Sequence, residues 1–215
     1  MKSAHLATVA AALLGSCAPA PPPAGAANLV VSERAPALTL RVADGFVPLP
    51  PMHFPIEDLT LAERRIFVDA GADRRLRRMI VVQFEQVRPG SDFRFVFPST
   101  PPRRFGAETY RAGAFVYDDE RAAARAPDRE AGLTRAHLAG LGYRSPRLWR
   151  VARLARVSDP EGLSEVILFY MENADGDFPD GTLPGADADG DLTLEGAARE
   201  AMLERLERHI EAVRG

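Results

Sequence analysis

The sequence predicts a single α+β domain: an antiparallel β-sheet of hairpins with a short helix and a C-terminal helix packed on the sheet. Three observations lead there. Apolar and polar side chains alternate along several segments, the period of strands with one buried face. Turn residues separate those segments, and successive strand signals argue for about six to eight antiparallel strands. Finally, Met202, Leu206, Ile210 and Val213 recur at helical spacing near the end of the chain.

The elements follow in order from Leu29. In "ALTLRVADGFVPLP", Leu38, Leu40 and Val42 alternate, Asp44-Gly45 supplies a turn, and Phe46 and Val47 follow, so a hairpin is expected. "RRIFVDAGADRRLRRMIVVQFEQV" predicts a second pair, turning within Ala70–Asp73, with Leu76, Ile80, Val82 and Phe84 inward and Arg77, Gln83 and Glu85 outward. Phe93, Phe95 and Phe97 fall on one side of a further strand, and "ETYRAGAFVYDD" gives another. Pro127, Asp128 and Glu130 at one end and Gly140 and Gly142 at the other bracket a helix from about Pro127 to Leu141. In "RLWRVARLARV" the arginines at 147, 150, 153 and 156 have helical spacing, but the "SDPEG" turn and "SEVILFYMEN" beyond it favour a strand. A terminal helix of about 20 residues carries the last apolar stripe, with Glu195/Arg199 and Glu204/Arg208 pairs on its wet face.

The chain before Leu29 has a different character. Lys2 precedes an 11-residue, mostly apolar segment, Ala4–Leu14, followed by small residues, which is the order of a secretory signal peptide. Spanning a bilayer takes roughly 20 apolar residues, so this segment reads as an export signal rather than a membrane span. Leu14-Gly15-Ser16-Cys17 resembles the lipobox of bacterial lipoproteins, and Cys17 is the only cysteine. The resemblance implies that residues 1–16 are removed and that Cys17 is lipidated. Acyl chains at about 0.8 kcal/mol per buried methylene would then hold the protein on a membrane. Ala18 is not the aspartate associated with inner-membrane retention, so the implied address is the outer membrane, facing the periplasm, in a Gram-negative organism. Residues 17–28, with four prolines and no large apolar side chain, form an extended tether. The competing reading is plain secretion, with cleavage at a site such as Ala24-Gly25-Ala26.

Residues 29–215 suffice for one domain with a sizeable core and contain no cysteine, so burial rather than disulfides must stabilise it. Arginine outnumbers lysine 26 to 1, a skew that a GC-rich genome explains. With a net charge of −3, nothing in the balance points to nucleic acid. The expected partners are the membrane, through the lipid, and an envelope protein, lipid or glycan. The arginines around Trp149 could face an anion, though a solvated strand face explains them more simply.

Residues 172–195 hold eight acidic side chains and no basic one. Asp175, Asp177, Asp187, Asp189 and Asp191 are the candidate ligands of a weak calcium loop, if its two "DGD" turns converge. The loop lacks two ligands of an EF-hand, since Gly185 and Gly196 fall at the first and last coordinating positions. A solvated acidic loop is the simpler reading, and no cofactor is called for. The histidines at 5, 53, 137 and 209 are too scattered for a metal motif. His137 reads as a packing residue, His209 as a surface cation at a helix end, and His53 as part of a proline-rigid loop. No nucleophile elbow or phosphate loop occurs, so no catalytic residue is assigned. The sequence thus favours a non-enzymatic binding or scaffolding domain at the cell envelope over a hydrolase-like periplasmic enzyme without a recognisable motif.

Overall fold

The structure is a computed structural model that describes residues 28–32, 37–96, 100–188 and 190–213. Cys17, the tether before Asn28 and Asp189 lie outside the described residues. The domain is mostly sheet, with twelve strands and three helices among the described residues. In chain order these are β1 (Leu29–Ser32), β2 (Leu38–Val42), β3 (Val47–Pro48), β4 (Met52–Ile56), β5 (Thr60–Ala70) and β6 (Leu76–Val87). Then come β7 (Pro102–Phe105), β8 (Glu108–Asp118), α1 (Asp119–Arg125), α2 (Glu130–Gly140), β9 (Leu148–Val157) and β10 (Ser164–Asn173). The chain closes with β11 (Leu192–Thr193), α3 (Gly196–His209) and β12 (Ile210–Val213).

A nine-stranded sheet runs in the order β11-β8-β9-β10-β6-β5-β3, with β4 also on β5 and β7 also on β8. A second sheet has the order β1-β2-β12, and every strand pair in both is antiparallel. Long strands form where β-branched and aromatic residues are dense, and β9 is a full strand despite its arginine spacing because both of its faces are covered.

Several expectations are corrected. There are two sheets rather than one, and more strands than expected. Strand β2 pairs with β1 and β12, whereas Val47–Pro48 pairs with β5, so the two arms flanking Asp44-Gly45 enter different sheets. Gly45 still takes φ +91°, a turn conformation open to glycine. Phe93 and Phe95 keep their shared side, with ring centroids 5.2 Å apart, but the described segment 91–96 has no strand pairing; Phe97 is outside the described residues. The helix expected at 127–141 starts at Glu130, and a separate α1 precedes it, capped by the Asp118 side chain accepting from the Arg121 amide at 2.8 Å. Gly132 lets the connection between the two helices pack closely on α2, since a Cβ there would lie 2.4 Å from the Pro127 carbonyl oxygen. The terminal helix stops at His209, and Ile210–Val213 becomes a strand on β2. Pairing satisfies the backbone of these residues while Ile210 stays buried, so the apolar stripe survives a change of secondary structure.

The large sheet has two covered faces. On the first, Ile80, Val82, Leu154, Val166 and Leu168 pack with α3 through Met202, Leu203 and Leu206, and with Leu40 and Val42 of the small sheet. On the second, Ile66, Met79, Val81, Trp149, Val151 and Met171 meet Leu138 of α2. Register places Gln83, Glu85 and Glu165 on this second face as well, because Glu85 sits opposite Glu165 across β6 and β10. Gln83 and Glu85 were expected to face solvent, but they are 0% and 9% exposed.

Candidate functional site

Where α2 rides over the second face, the apolar packing is incomplete. A cavity of about 190 Å³ opens between the sheet and the helix. Its floor comes from neighbouring strands: Met79 and Val81 of β6, Phe169 and Met171 of β10, Trp149 and Val151 of β9. Phe115 and Tyr117 of β8 close one side and Leu138 of α2 the top. Phe115, Tyr117 and Phe169 are only half-buried although they lie on a covered sheet face, because their rings open into the cavity.

Two sets of polar groups border this apolar space. In the first, Arg64 occupies an inward position of β5 between Ala62 and Ile66, with its side chain 7% exposed. Its Nε donates to Gln83 Oε1 at 2.6 Å, its Nη2 to Glu130 Oε1 at 2.7 Å, and its Nη1 to the Thr134 hydroxyl. Gln83 donates onward to Glu85 at 2.5 Å and to Glu130 at 2.9 Å, and Thr60 donates to Glu85 at 3.3 Å. Arg64 thus pins the start of α2 to the sheet. Burial pulls its guanidinium below the ordinary arginine range, while Glu130 opposes that pull.

In the second set, the Tyr117 hydroxyl donates to Asp119 Oδ1 at 3.0 Å and Arg135 Nη1 donates to Asp119 Oδ2 at 2.6 Å. Arg135 also donates to the Pro146 carbonyl at 3.0 Å, which joins α2 to the segment entering β9. Burial raises the Asp119 carboxyl, partly offset by Arg135, and holds the Tyr117 hydroxyl well above its usual range. The Tyr117 ring lines the cavity and is half-buried. Ser145 completes the rim.

Beside the Arg64 network, Glu165 is 5% exposed, and burial pushes its carboxyl up to about 8, with Glu85 adding like-charge repulsion. Arg153 Nη2 lies 3.5 Å from Glu165 Oε1, but that oxygen makes no hydrogen bond. Neither Glu85 nor Glu165 lines the cavity.

A larger groove of about 740 Å³ runs beside β1, β4, β5 and β6. Its charged groups pair with one another: Glu63 lies 2.5 Å from Arg65 and 3.7 Å from His53. Glu85, its most buried acid, is already bonded to Gln83 and Thr60. The smaller cavity is the better site, because it combines exposed rings with buried charge.

The expected acidic site looks different in three dimensions. Asp175 accepts from the Arg147 and Leu148 amides at 3.0 and 2.8 Å and from Arg75 at 2.6 Å. Asp177 takes Arg150 at 2.8 Å, and Asp187 bonds the Gly190 and Asp191 amides of its own turn. Asp191 reaches the cavity rim instead. Among the described residues, no group of three or more His, Cys, Asp or Glu is placed to hold a metal ion. The arginines around Trp149 are likewise matched by acids: Arg147 with Asp118, Arg150 with Asp177, Arg153 with Glu165 and Arg156 with Glu108.

The histidines separate. His53 lies on β4 rather than in a loop, and His137 is partly buried on α2. His209 is not the surface cation expected: it stacks on Tyr170 with centroids 5.1 Å apart, meets Phe46 edge-on at 5.5 Å, and sits 3.3 Å from Arg78. Burial and Arg78 lower its pKa.

Sequence reasoning missed Arg64, Phe115, Tyr117, Asp119, Arg135 and Phe169. One signal was available: Arg64 breaks the inward phase Ala62-x-x-x-Ile66-x-Val68, and a charge in a buried phase must be paired. Comparison of the chain with protein-family profiles, curated proteins and solved structures gives no match.

Proposed function

We propose that this protein is a membrane-tethered binding domain of the bacterial envelope that takes a small organic ligand between α2 and the large sheet. The carrying observation is the cavity itself, where Phe115, Tyr117 and Phe169 present ring surface beside the charged groups of Arg64, Asp119 and Arg135. Apolar walls with a few placed polar groups are what a small-molecule site requires. Binding fits better than catalysis: among the described residues Ser145 has no bonded partner, and burial works against ionisation of Tyr117 even though its hydroxyl donates to Asp119. The tether rests on the lipobox resemblance of Leu14–Cys17. Among the described residues, no helix is long and apolar enough to cross a membrane.

Two experiments test the two parts. Native mass spectrometry of the full chain purified from cells should reveal a bound small molecule that disappears in Ala131→Phe, which fills the cavity from α2. Identical spectra for both proteins would defeat the site. Cys17→Ser should move the protein from the membrane to the soluble fraction and abolish incorporation of a labelled fatty acid. Unlabelled, soluble wild-type protein beginning near Ala27 would establish plain secretion.

A further inference from the structure

The geometry points to a specific ligand class for this cavity: a small monocarboxylate whose apolar body lies against Phe115 and Phe169 and whose carboxylate is held by Arg135 and Ser145. This inference rests on the binding reading above and goes beyond it by assigning the charge and polarity of the ligand.

The hydrogen-bond accounting of the rim decides the charge. Asp119 spends both oxygens, one on Tyr117 and one on Arg135, and Glu130 already holds Arg64 and Gln83. Each of these two acids therefore has its arginine, with both bonds to Glu130 falling on Oε1, and the third acid at the rim, Asp191, is also engaged within the protein, so an incoming amine would compete with groups already bound. The donors are the groups left over. Arg135 uses only Nη1, and among the described residues its Nε and Nη2 and the Ser145 hydroxyl make no hydrogen bond. Arg135 and Ser145 both line the cavity, and the Arg135 side chain is 28% exposed while Asp119 and Pro146 hold its Nη1. A guanidinium offers five N–H groups along more than one edge, which lets one arginine hold a structural carboxylate on one side and a ligand carboxylate on another.

Size and lining decide the rest. About 190 Å³ is well under the roughly 300–1,000 Å³ of sites for drug-sized ligands, so the occupant carries a single ring or a short branched chain. Leu138, Met171 and the two phenylalanines offer that body no hydrogen-bonding group. The apolar end belongs there, and the carboxylate at the rim.

Trp149 is the only tryptophan and lines the cavity, so its emission reports occupancy directly. Three probes of matched shape, 3-phenylpropionate, 3-phenylpropan-1-ol and 3-phenylpropylamine, would be titrated into the full chain, with equilibrium dialysis as a second readout. The acid is expected to bind about tenfold or more tightly than the alcohol, the scale of a charge-assisted hydrogen bond. That preference should vanish in Arg135→Gln and shrink in Ser145→Ala, with affinity for the acid falling by a larger factor than affinity for the alcohol. Should Arg135→Gln fail to fold, the wild-type ranking and Ser145→Ala still decide. An alcohol or amine that binds as tightly as the acid overturns the ligand class and leaves the cavity reading standing. If no probe changes Trp149 emission or is retained on dialysis, the binding reading fails, and this inference fails with it.

Discussion

The two faces of the large sheet solve the same packing problem differently. Against α3 the sheet buries an almost wholly apolar layer, and Leu154, Val166, Leu168, Leu203 and Leu206 are each at 0% exposure. Against α2 the layer is apolar only near Trp149 and Leu138. Farther along the strands it gives way to Arg64, Gln83, Glu85 and Glu165, and between the two lies the cavity. A face built for stability fills its space. The second face leaves space and surrounds it with charge, at a cost in stability that the α3 side must offset.

That contrast can be broken by experiment. The largest effect is expected for Arg64→Met, which leaves Glu130 and the Gln83–Glu85 pair without their buried cation. A loss of about 3–5 kcal/mol in denaturant unfolding is expected, and adding Glu130→Gln should recover part of it. An effect no larger than that of an exposed control such as Arg208→Ala would mean that the network contributes nothing to the fold.

Leu206→Ala, on the filled face, should cost about 2–5 kcal/mol. Leu138→Ala should cost less, although Leu138 is equally buried, because solvent already approaches through the bordering cavity and no new sealed void forms. Equal costs would erase the distinction between the faces.

The pH dependence separates the faces by sign. Glu165 has its folded pKa raised from 4.5 to about 8, so the native state keeps a proton that the unfolded chain releases. Its contribution is fully present below about pH 4.5 and is lost as pH rises through about 8. Glu165→Gln should therefore flatten the fall in stability between about pH 4.5 and 8, and an unchanged fall across that window would show that Glu165 ionises normally.

The smallest effect belongs to His209, on the α3 side. Its folded pKa lies below the ordinary 6.5, so the unfolded chain takes up its proton first. Stability from this group is complete above about pH 6.5 and declines as pH falls through the lower folded value. His209→Gln should remove that contribution, which rises with pH up to about 6.5, and leave the Glu165-dependent fall toward pH 8 as in the wild type; an unchanged curve would show that His209 adds nothing.

Much of the fold was legible because it depends on local period. The alternation in "MIVVQFEQV" and the turn after Ala70 mark β5 and β6, and the last apolar stripe places α3 on a core. The misreadings share a cause. Gln83 and Glu85 looked solvent-facing because a one-sided sheet is the ordinary reason for alternation, yet here both faces are covered and the polar phase is buried. Asp44-Gly45 makes its turn, but which strands receive its two arms depends on partners far away in sequence: Leu192–Thr193 and Ile210–Val213 likewise find theirs at a distance. The site was less legible still, because Arg64, Tyr117, Arg135 and Phe169 come from four elements and share no motif.

The sequence by itself determined the strand-rich character of the domain, the turn glycines, the buried stripe through Ile210, and the resemblance around Cys17. These follow from residue type and spacing along one chain, which backbone geometry converts directly into local structure. Only the tertiary structure decided that Ile210 would be buried in a strand rather than a helix, that Asp175 and Asp177 would bind arginines rather than face each other, and that an open space would lie over Phe169. Each of these depends on which groups meet across the fold. A carboxylate or a ring has no fixed function until its neighbours set its charge, its exposure and the room beside it.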